Sequence, residues 1–182
     1  MVIVEGPDGA GKSTLVKQLQ DLFPELKTGE RGTDNRDLLW TVTRSDTYNA
    51  LRLALTPEEP PRIWDRLYWS EFVYYPFTSR ECQFTIQDQM LIPSVIAGIA
   101  APVIWCLPPK DLVLENEAKA HQMEGVSDNI SDIYDAYVRM GRNLDDPRLN
   151  ALFWYDYSGE TPGYNFAQIA ETVARFIQER PA

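Results

Sequence analysis

Apolar residues fall into short continuous runs that alternate with segments of helical spacing. The runs are rich in β-branched and aromatic residues and stop at glycine, proline or charged residues, which is typical of buried strands. They predict strands at Val2–Glu5, Glu25–Thr28, Arg62–Arg66, Pro102–Leu107 and Leu152–Tyr155. The segments between them predict helices at Lys12–Leu22, Asp34–Leu55, Tyr68–Tyr75, Cys82–Met90, Leu112–Lys119, Ile130–Met140 and, at the end of the chain, Phe166–Ile177. Pro93 either kinks the fourth helix or opens a second helical piece through Ile99.

This alternation of strands and helices predicts an α/β fold, a three-layer sandwich with a central parallel five-stranded sheet and helices on both faces. We expect residues 1–182 to form a single domain, since 182 residues suffice for one buried core. Right-handed crossovers bring the carboxyl ends of parallel strands to one edge of the sheet. The loop after the first strand and the pair Asp65-Arg66 after the third therefore share that edge.

The segment Gly6–Ser13 matches the phosphate-loop pattern G-x-x-x-x-G-K-[ST] and lies between a predicted strand and a predicted helix. Backbone N–H groups in such a loop point at phosphate oxygens, and the following helix adds its positive end. Lys12 provides charge for the outer phosphates, and the Ser13 hydroxyl is a ligand for Mg²⁺. We therefore expect the chain to bind a nucleoside triphosphate through Gly6, Gly9, Ala10, Gly11, Lys12, Ser13 and Thr14.

Asp65-Arg66 is the second candidate site, an acid and an arginine that end a buried strand. Beside a phosphate loop, Arg66 is suited to hold an acceptor phosphate and Asp65 to face the metal or its waters. Lys12, Asp65 and Arg66 are thus the candidate catalytic residues, with Ser13 and Asp65 as the metal ligands. The alternative is a strand end that carries an ordinary salt bridge.

Composition narrows the class of partner. The chain has 27 acidic and 17 basic side chains, a formal net charge of −10, which disfavours binding to nucleic acid. No apolar run reaches the ~18 residues of a membrane span, so no membrane partner is expected. Cys82 and Cys106 are too few for a disulfide framework and suggest reduced thiols in a cytoplasmic protein. The sequence is compatible with a homodimer but does not fix the oligomeric state.

Two stretches resemble the thymidylate kinase family of P-loop deoxynucleoside monophosphate kinases. They are VEGPDGAGKSTL at Val4–Leu15 and DRLYWSE at Asp65–Glu71. The resemblance implies a P-loop kinase that uses ATP and Mg²⁺ in nucleotide biosynthesis, with a small-molecule acceptor, a pyrimidine deoxynucleoside monophosphate and most simply dTMP. It also implies that Asp8 faces the acceptor's sugar hydroxyl and that Arg66 holds its 5′-phosphate.

Five aromatic residues follow the Asp-Arg pair, and at least one of them is expected to face the acceptor base: Tyr68, Trp69, Phe72, Tyr74 and Tyr75. Tyr68 and Trp69 are the candidates for substrate binding, although core packing is the ordinary role of any single ring. Arg80 is either a second ligand of the acceptor phosphate or a solvated surface charge.

The chain departs from the family in its arginines. Thymidylate kinases usually carry a catalytic arginine in the phosphate loop or in a lid over the donor. Here the loop has Gly9, and a lid at about 109–129 offers only Lys110, Lys119 and His121. Either Arg139 or Arg142 reaches back from the next helix, or Lys119 substitutes as a weaker charge, or the acceptor is not free thymidylate.

Other functions stay open at this stage. A kinase for an unphosphorylated deoxynucleoside would need a carboxylate base, for which Glu5 is the candidate. A kinase for a modified base in DNA, such as 5-hydroxymethyluracil, would explain the arginine-free lid but suits the net charge of −10 poorly. A non-catalytic ATP-binding module is the third alternative. The resemblance also implies that Asp156 and the loop Tyr157–Gly163 hold the donor's adenine, and the alternative is an ordinary capping loop.

Overall fold

The carboxyl ends of five parallel strands meet at one edge of a single sheet. A computed structural model describes residues 1–29, 43–78, 81–119, 126–144 and 152–179. Within these ranges the strands are β1 Val2–Glu5, β2 Lys27–Thr28, β3 Arg62–Asp65, β4 Val103–Cys106 and β5 Leu152–Tyr155. Their order is β2-β3-β1-β4-β5, and every pairing is parallel. The predicted five-stranded parallel sheet is confirmed.

Strands β1 and β4 lie side by side at the centre, where Ile3 is in register with Val103 and Glu5 with Trp105. All four residues of each strand are buried, which explains why their sequences read as continuous apolar runs rather than as alternating patterns. Glu5, at the carboxyl end of β1, departs from this apolar pattern because it is a buried carboxylic acid.

Helices cover the sheet. Those formed by the described residues are α1 Lys12–Leu22, α2 Arg44–Ala54, α3 Tyr68–Tyr74, α4 Ile86–Gly98, α5 Lys110–Glu117, α6 Ile130–Asn143 and α7 Phe166–Gln178. Short 3₁₀ turns at Tyr75–Phe77 and Ser127–Asn129 precede or follow them. In these same ranges no helix combines the length and apolarity required to cross a membrane. The predicted α/β class with helices packed on the sheet is thus observed.

The predicted helix from Asp34 to Leu55 is wrong in its extent. Thr43 has extended backbone and caps α2, because its side chain accepts a hydrogen bond from Asp46 N–H at 3.1 Å and its own N–H donates to the Asp46 carboxylate. This reciprocal capping box fixes the first helical residue at Arg44. The predicted start at Asp34 lies outside the described residues.

The predicted helix Cys82–Met90 is also displaced. Thr85 and Asp88 form a second capping box, so that α4 begins at Ile86, and the helix then runs past Pro93 to Gly98 without a second start. The Asp88 carboxylate also accepts hydrogen bonds from Arg44 and from the Tyr48 hydroxyl, the latter at 2.5 Å. These bonds, led by the one from Arg44, hold the pKa of Asp88 below its usual range and tie α4 to α2.

Candidate active site

The phosphate loop follows β1 and wraps around the start of α1. Gly9 has φ +79°, a left-handed conformation that disfavours any side chain, and a Cβ there would lie 2.6 Å from the Val113 carbonyl oxygen of α5. A side chain at this position would require α5 to move. The close packing of α5 on the loop therefore leaves no room for an arginine at position 9, where thymidylate kinases can carry one.

Lys12 is buried in this loop, only 6% exposed. Its Nζ donates a hydrogen bond to the Pro7 carbonyl oxygen at 2.6 Å. Burial, followed by repulsion from Arg66, lowers the pKa of Lys12 below its ordinary value. The ammonium thus lies inside the loop, where a phosphate oxygen would compete with Pro7 for it.

Ser13 and Asp65 meet between the loop and the end of β3. The Ser13 hydroxyl donates a hydrogen bond to Asp65 Oδ2 at 2.9 Å. Oxygen donors are what Mg²⁺ prefers, and it commonly takes one or two from the protein and others from phosphates and water. The two residues predicted as metal ligands are therefore close enough to share one ion or its waters.

Arg66 turns back from β3 onto the phosphate loop. It has φ +66°, which is uncommon for a residue other than glycine, and its N–H donates to the Val4 carbonyl oxygen at 2.8 Å. Its guanidinium Nη2 donates to Asp8 Oδ1 at 2.5 Å, and both side chains are buried. This left-handed turn brings the two sequence motifs, 58 residues apart, into direct contact.

Tyr74 completes this cluster. Its hydroxyl accepts hydrogen bonds from Arg66 Nη2 at 2.9 Å and from Asp8 N–H at 3.1 Å, and it donates to Asp8 Oδ2 at 2.9 Å. Burial alone would raise the pKa of Asp8, but attraction to Arg66 and Lys12 together with these hydrogen bonds lowers it below its ordinary value. Asp8 is thus held as an anion between the loop and α3.

Glu5 is fully buried beside the cluster. Its carboxylate accepts hydrogen bonds from Leu67 N–H at 2.8 Å and from the Ser70 hydroxyl at 2.5 Å, and the Ser70 oxygen lies 2.7 Å from the Tyr137 hydroxyl. Burial raises the pKa of Glu5, and these hydrogen bonds only partly offset the rise. Glu5 therefore anchors β1 to α3 and α6, and no part of it is exposed to receive a proton from a bound hydroxyl group.

Tyr68 and Trp69, the predicted base-facing rings, are 4% and 2% exposed. Tyr68 packs edge-on against Phe84 and Phe72, and Trp69 packs edge-on against Trp105 of β4. They line a groove between α3, α4 and α6. Ser70 and Tyr74 instead hydrogen-bond to Glu5 and Asp8. That Tyr68 or Trp69 faces an acceptor base stays a prediction.

Among the five aromatic residues after the Asp-Arg pair, Tyr74 hydrogen-bonds through its hydroxyl to both Asp8 and Arg66. Its position, eight residues after Arg66, is the available sequence signal. Which face of α3 meets the loop depends on the direction in which the chain leaves Arg66, and this cannot be read from apolar spacing. Ser70, which the sequence did not single out, is placed on the same face by the same geometry.

Three of the basic residues considered for the donor side, Lys119, Arg139 and Arg142, lie within the described residues. Lys119, two residues past the end of α5, pairs with Glu115, and both side chains are mostly exposed. Arg139 lines the groove between α3, α4 and α6 that also contains Tyr68 and Trp69, and Arg142 is exposed near the end of α6. Arg80 and His121 lie outside the described residues. A transition-state role for Lys119, Arg139 or Arg142 stays a prediction.

The loop after β5 lies against the phosphate loop, and its predicted role in holding adenine stays a prediction. Asp156 organises it by accepting four hydrogen bonds, from the N–H and hydroxyl groups of Ser158 and Thr161, at 2.7–2.8 Å. Tyr157, 43% exposed, lies against Gly11 and accepts a hydrogen bond from Asn116 Nδ2 at 2.9 Å. No local sequence pattern marks Asn116, which lies 107 residues from the Gly9 carbonyl it contacts.

Comparison with known proteins finds the same fold in nucleotide kinases. No protein-family model matches the chain, and neither does any curated protein sequence. Among solved structures, YorR of Bacillus subtilis, in complex with phosphorylated GDP, superposes with a TM-score of 0.65 at 18% identity, covering 97% of this chain and 95% of that one.

Two further structures are similar over nearly their whole length. Deoxyadenosine kinase of M. mycoides with bound dATP has a TM-score of 0.57 at 12% identity, with 98% and 99% of the two chains covered. Thymidylate kinase of Candida albicans has a TM-score of 0.56 at 13% identity, with 97% and 90% covered. Together with the parallel sheet and its phosphate loop, these likenesses assign the chain the fold of nucleoside and nucleotide monophosphate kinases.

Proposed function

We propose that this protein is an ATP-dependent phosphotransferase that phosphorylates a pyrimidine deoxynucleoside monophosphate, most simply dTMP. The observation that carries the proposal is the buried contact between Arg66 and Asp8. It puts the guanidinium that suits an acceptor phosphate against the loop that suits a donor triphosphate. A cation and an anion so placed can hold an acceptor by its phosphate and by a sugar hydroxyl.

In this reaction an oxygen of the acceptor phosphate attacks the γ-phosphorus of ATP, the bond to the β-phosphate oxygen breaks, and ADP leaves. Lys12 neutralises charge on the outer phosphates, and Arg66 aligns the acceptor. Ser13 and Asp65 would hold Mg²⁺, which supplies charge neutralisation of the donor phosphates. A phosphate monoester is already a nucleophile, so the chemistry needs no strong general base.

The environment of Glu5 supports a monophosphate acceptor over an unphosphorylated deoxynucleoside. A nucleoside kinase must take a proton from a sugar hydroxyl, and a general base has to come within hydrogen-bond reach of it. The Glu5 carboxylate is fully buried and already accepts hydrogen bonds from Ser70 and Leu67. The net charge of −10 likewise disfavours a base within DNA as the acceptor.

The test is a coupled assay of ADP release with Mg²⁺, ATP and a panel of deoxynucleoside monophosphates, deoxynucleosides and DNA that carries 5-hydroxymethyluracil. Turnover should be highest with a pyrimidine monophosphate and should disappear in Lys12→Ala without loss of folding. Turnover confined to deoxynucleosides or to modified DNA would refute the proposed acceptor. Tight ATP binding without any turnover would instead favour a non-catalytic module.

A further inference from the structure

The side-chain amide of Asn116 bridges two elements of the donor side. Asn116 lies on α5 and is half-buried. Its Nδ2 donates one hydrogen bond to the Gly9 carbonyl oxygen at 3.1 Å and a second to the Tyr157 hydroxyl at 2.9 Å. Both N–H groups of the amide are thereby used, one of them on the backbone of the phosphate loop itself.

The bond to Gly9 fixes the direction of a neighbouring N–H group. In a planar trans peptide the Gly9 carbonyl and the Ala10 N–H point in opposite directions. With the carbonyl held outward by Asn116, the Ala10 N–H points into the loop, where it donates to the Pro7 carbonyl oxygen at 3.4 Å. Lys12 Nζ donates to the same oxygen at 2.6 Å, so the two donors converge on one point.

A phosphate oxygen is a stronger acceptor than a backbone carbonyl, and it would draw both of these donors. The Ala10 N–H contributes fully only when its peptide plane is already oriented, because reorientation would consume part of the binding free energy. Tyr157 supports the loop at a second point, since its ring lies about 3.0 Å from where a Gly11 Cβ would be.

We propose that Asn116 is a positioning residue for the donor triphosphate, which acts through the Gly9–Ala10 peptide to aim the Ala10 N–H at a phosphate oxygen. The identity of the ligand rests on the proposed function, but the effect of Asn116 is exerted on donor binding and does not depend on the acceptor. Tyr157 takes the second bond of the same amide and is secondary to it.

The experiment measures the dissociation constant of a non-hydrolysable ATP analogue with Mg²⁺ by calorimetry, without acceptor. Asn116→Ala should weaken binding about five- to tenfold, as expected for one lost hydrogen bond to the loop. Asn116→Asp, of equal size but unable to donate to Gly9, should weaken it at least as much. Glu115→Ala, a substitution at an exposed site on the same helix, should stay within about twofold of the wild type.

The amide resonance of Ala10 supplies a readout that a purely structural role would not move selectively. In ¹H–¹⁵N spectra it should shift on addition of the analogue to the wild type and shift much less in Asn116→Ala. Unchanged affinity in Asn116→Ala, or equal losses in Glu115→Ala, would overturn the inference. If the wild type binds the analogue but phosphorylates no acceptor, only the proposed function fails; if it binds no analogue, both fail.

Discussion

The three hydrogen bonds of the Tyr74 hydroxyl give the sharpest prediction for stability. Tyr74→Phe removes the hydroxyl but keeps the ring, whose centroid lies 4.9 Å from the Arg66 guanidinium carbon and which also packs against Tyr137. The change therefore isolates the bonds to Asp8 and Arg66. It leaves the Asp8–Arg66 pair in place, so neither charge becomes unpaired.

The magnitude follows from the partners of the hydroxyl. A hydrogen bond to a charged group contributes about 1.5–3 kcal/mol and a neutral one about 1 kcal/mol, and burial leaves water little access to replace them. Because Asp8 and Arg66 retain each other, we expect a net loss of about 3 kcal/mol in the free energy of unfolding. For a chain of 182 residues this corresponds to a fall in the melting temperature of roughly 6–12 °C.

Urea unfolding followed by circular dichroism measures this loss, with Tyr75→Phe as the matched control. Tyr75 is the next residue and is 36% exposed, so its substitution should change the free energy of unfolding by less than about 0.5 kcal/mol. A Tyr74→Phe loss as small as that of the control would refute the reasoning. A double-mutant cycle with Asp8→Asn should give a coupling of about 1–2 kcal/mol.

Three further predictions concern burial and backbone geometry. Burial raises the pKa of Glu5 above its unfolded value of about 4.5, so its contribution to stability should fall as pH rises from there through the folded-state pKa. Glu5→Gln should flatten this pH dependence in urea midpoints measured at pH 5 and pH 8, and a pH dependence parallel to that of the wild type would contradict it. Asp88→Asn weakens the link from α4 to Arg44 and should lower the melting temperature by several degrees; no change would show that the link adds nothing. Gly9→Ala should cost about 1–2 kcal/mol from its left-handed backbone alone and should also weaken binding of the ATP analogue. A variant as stable as the wild type would contradict the backbone argument.

The sequence predicted the phosphate loop and the positions of the central strands because those features are local. Glycine at a left-handed position, a β-branched run before it and helical spacing after it all lie within about twenty residues. The signals for the starts of α2 and α4 are equally local, because Thr43 and Thr85 each stand three residues before an aspartate and form a capping box with it. The prediction nevertheless placed both starts too early. Apolar spacing outweighed these signals in the prediction.

The remaining features depend on contacts between distant segments. Nothing near Asn116 distinguishes it from a solvated helical asparagine until α5 is seated against Gly9. In the same way, nothing near Tyr74 in the sequence shows that its hydroxyl bonds to Asp8, 66 residues away. A sequence shows which side chains are available for the site, but the packing of α3 and α5 determines which of them reach it.

Steady-state kinetics of Arg66→Lys test the central claim most directly. Lysine keeps the positive charge beside Asp8 but loses the planar fork that suits a phosphate. We predict that the acceptor KM rises about 10- to 100-fold, corresponding to about 1.4–2.7 kcal/mol, while the dissociation constant of the ATP analogue stays within about threefold of the wild type. Equal increases in the acceptor KM and in the dissociation constant of the ATP analogue, or no increase in either, would contradict the assignment of Arg66 to the acceptor phosphate.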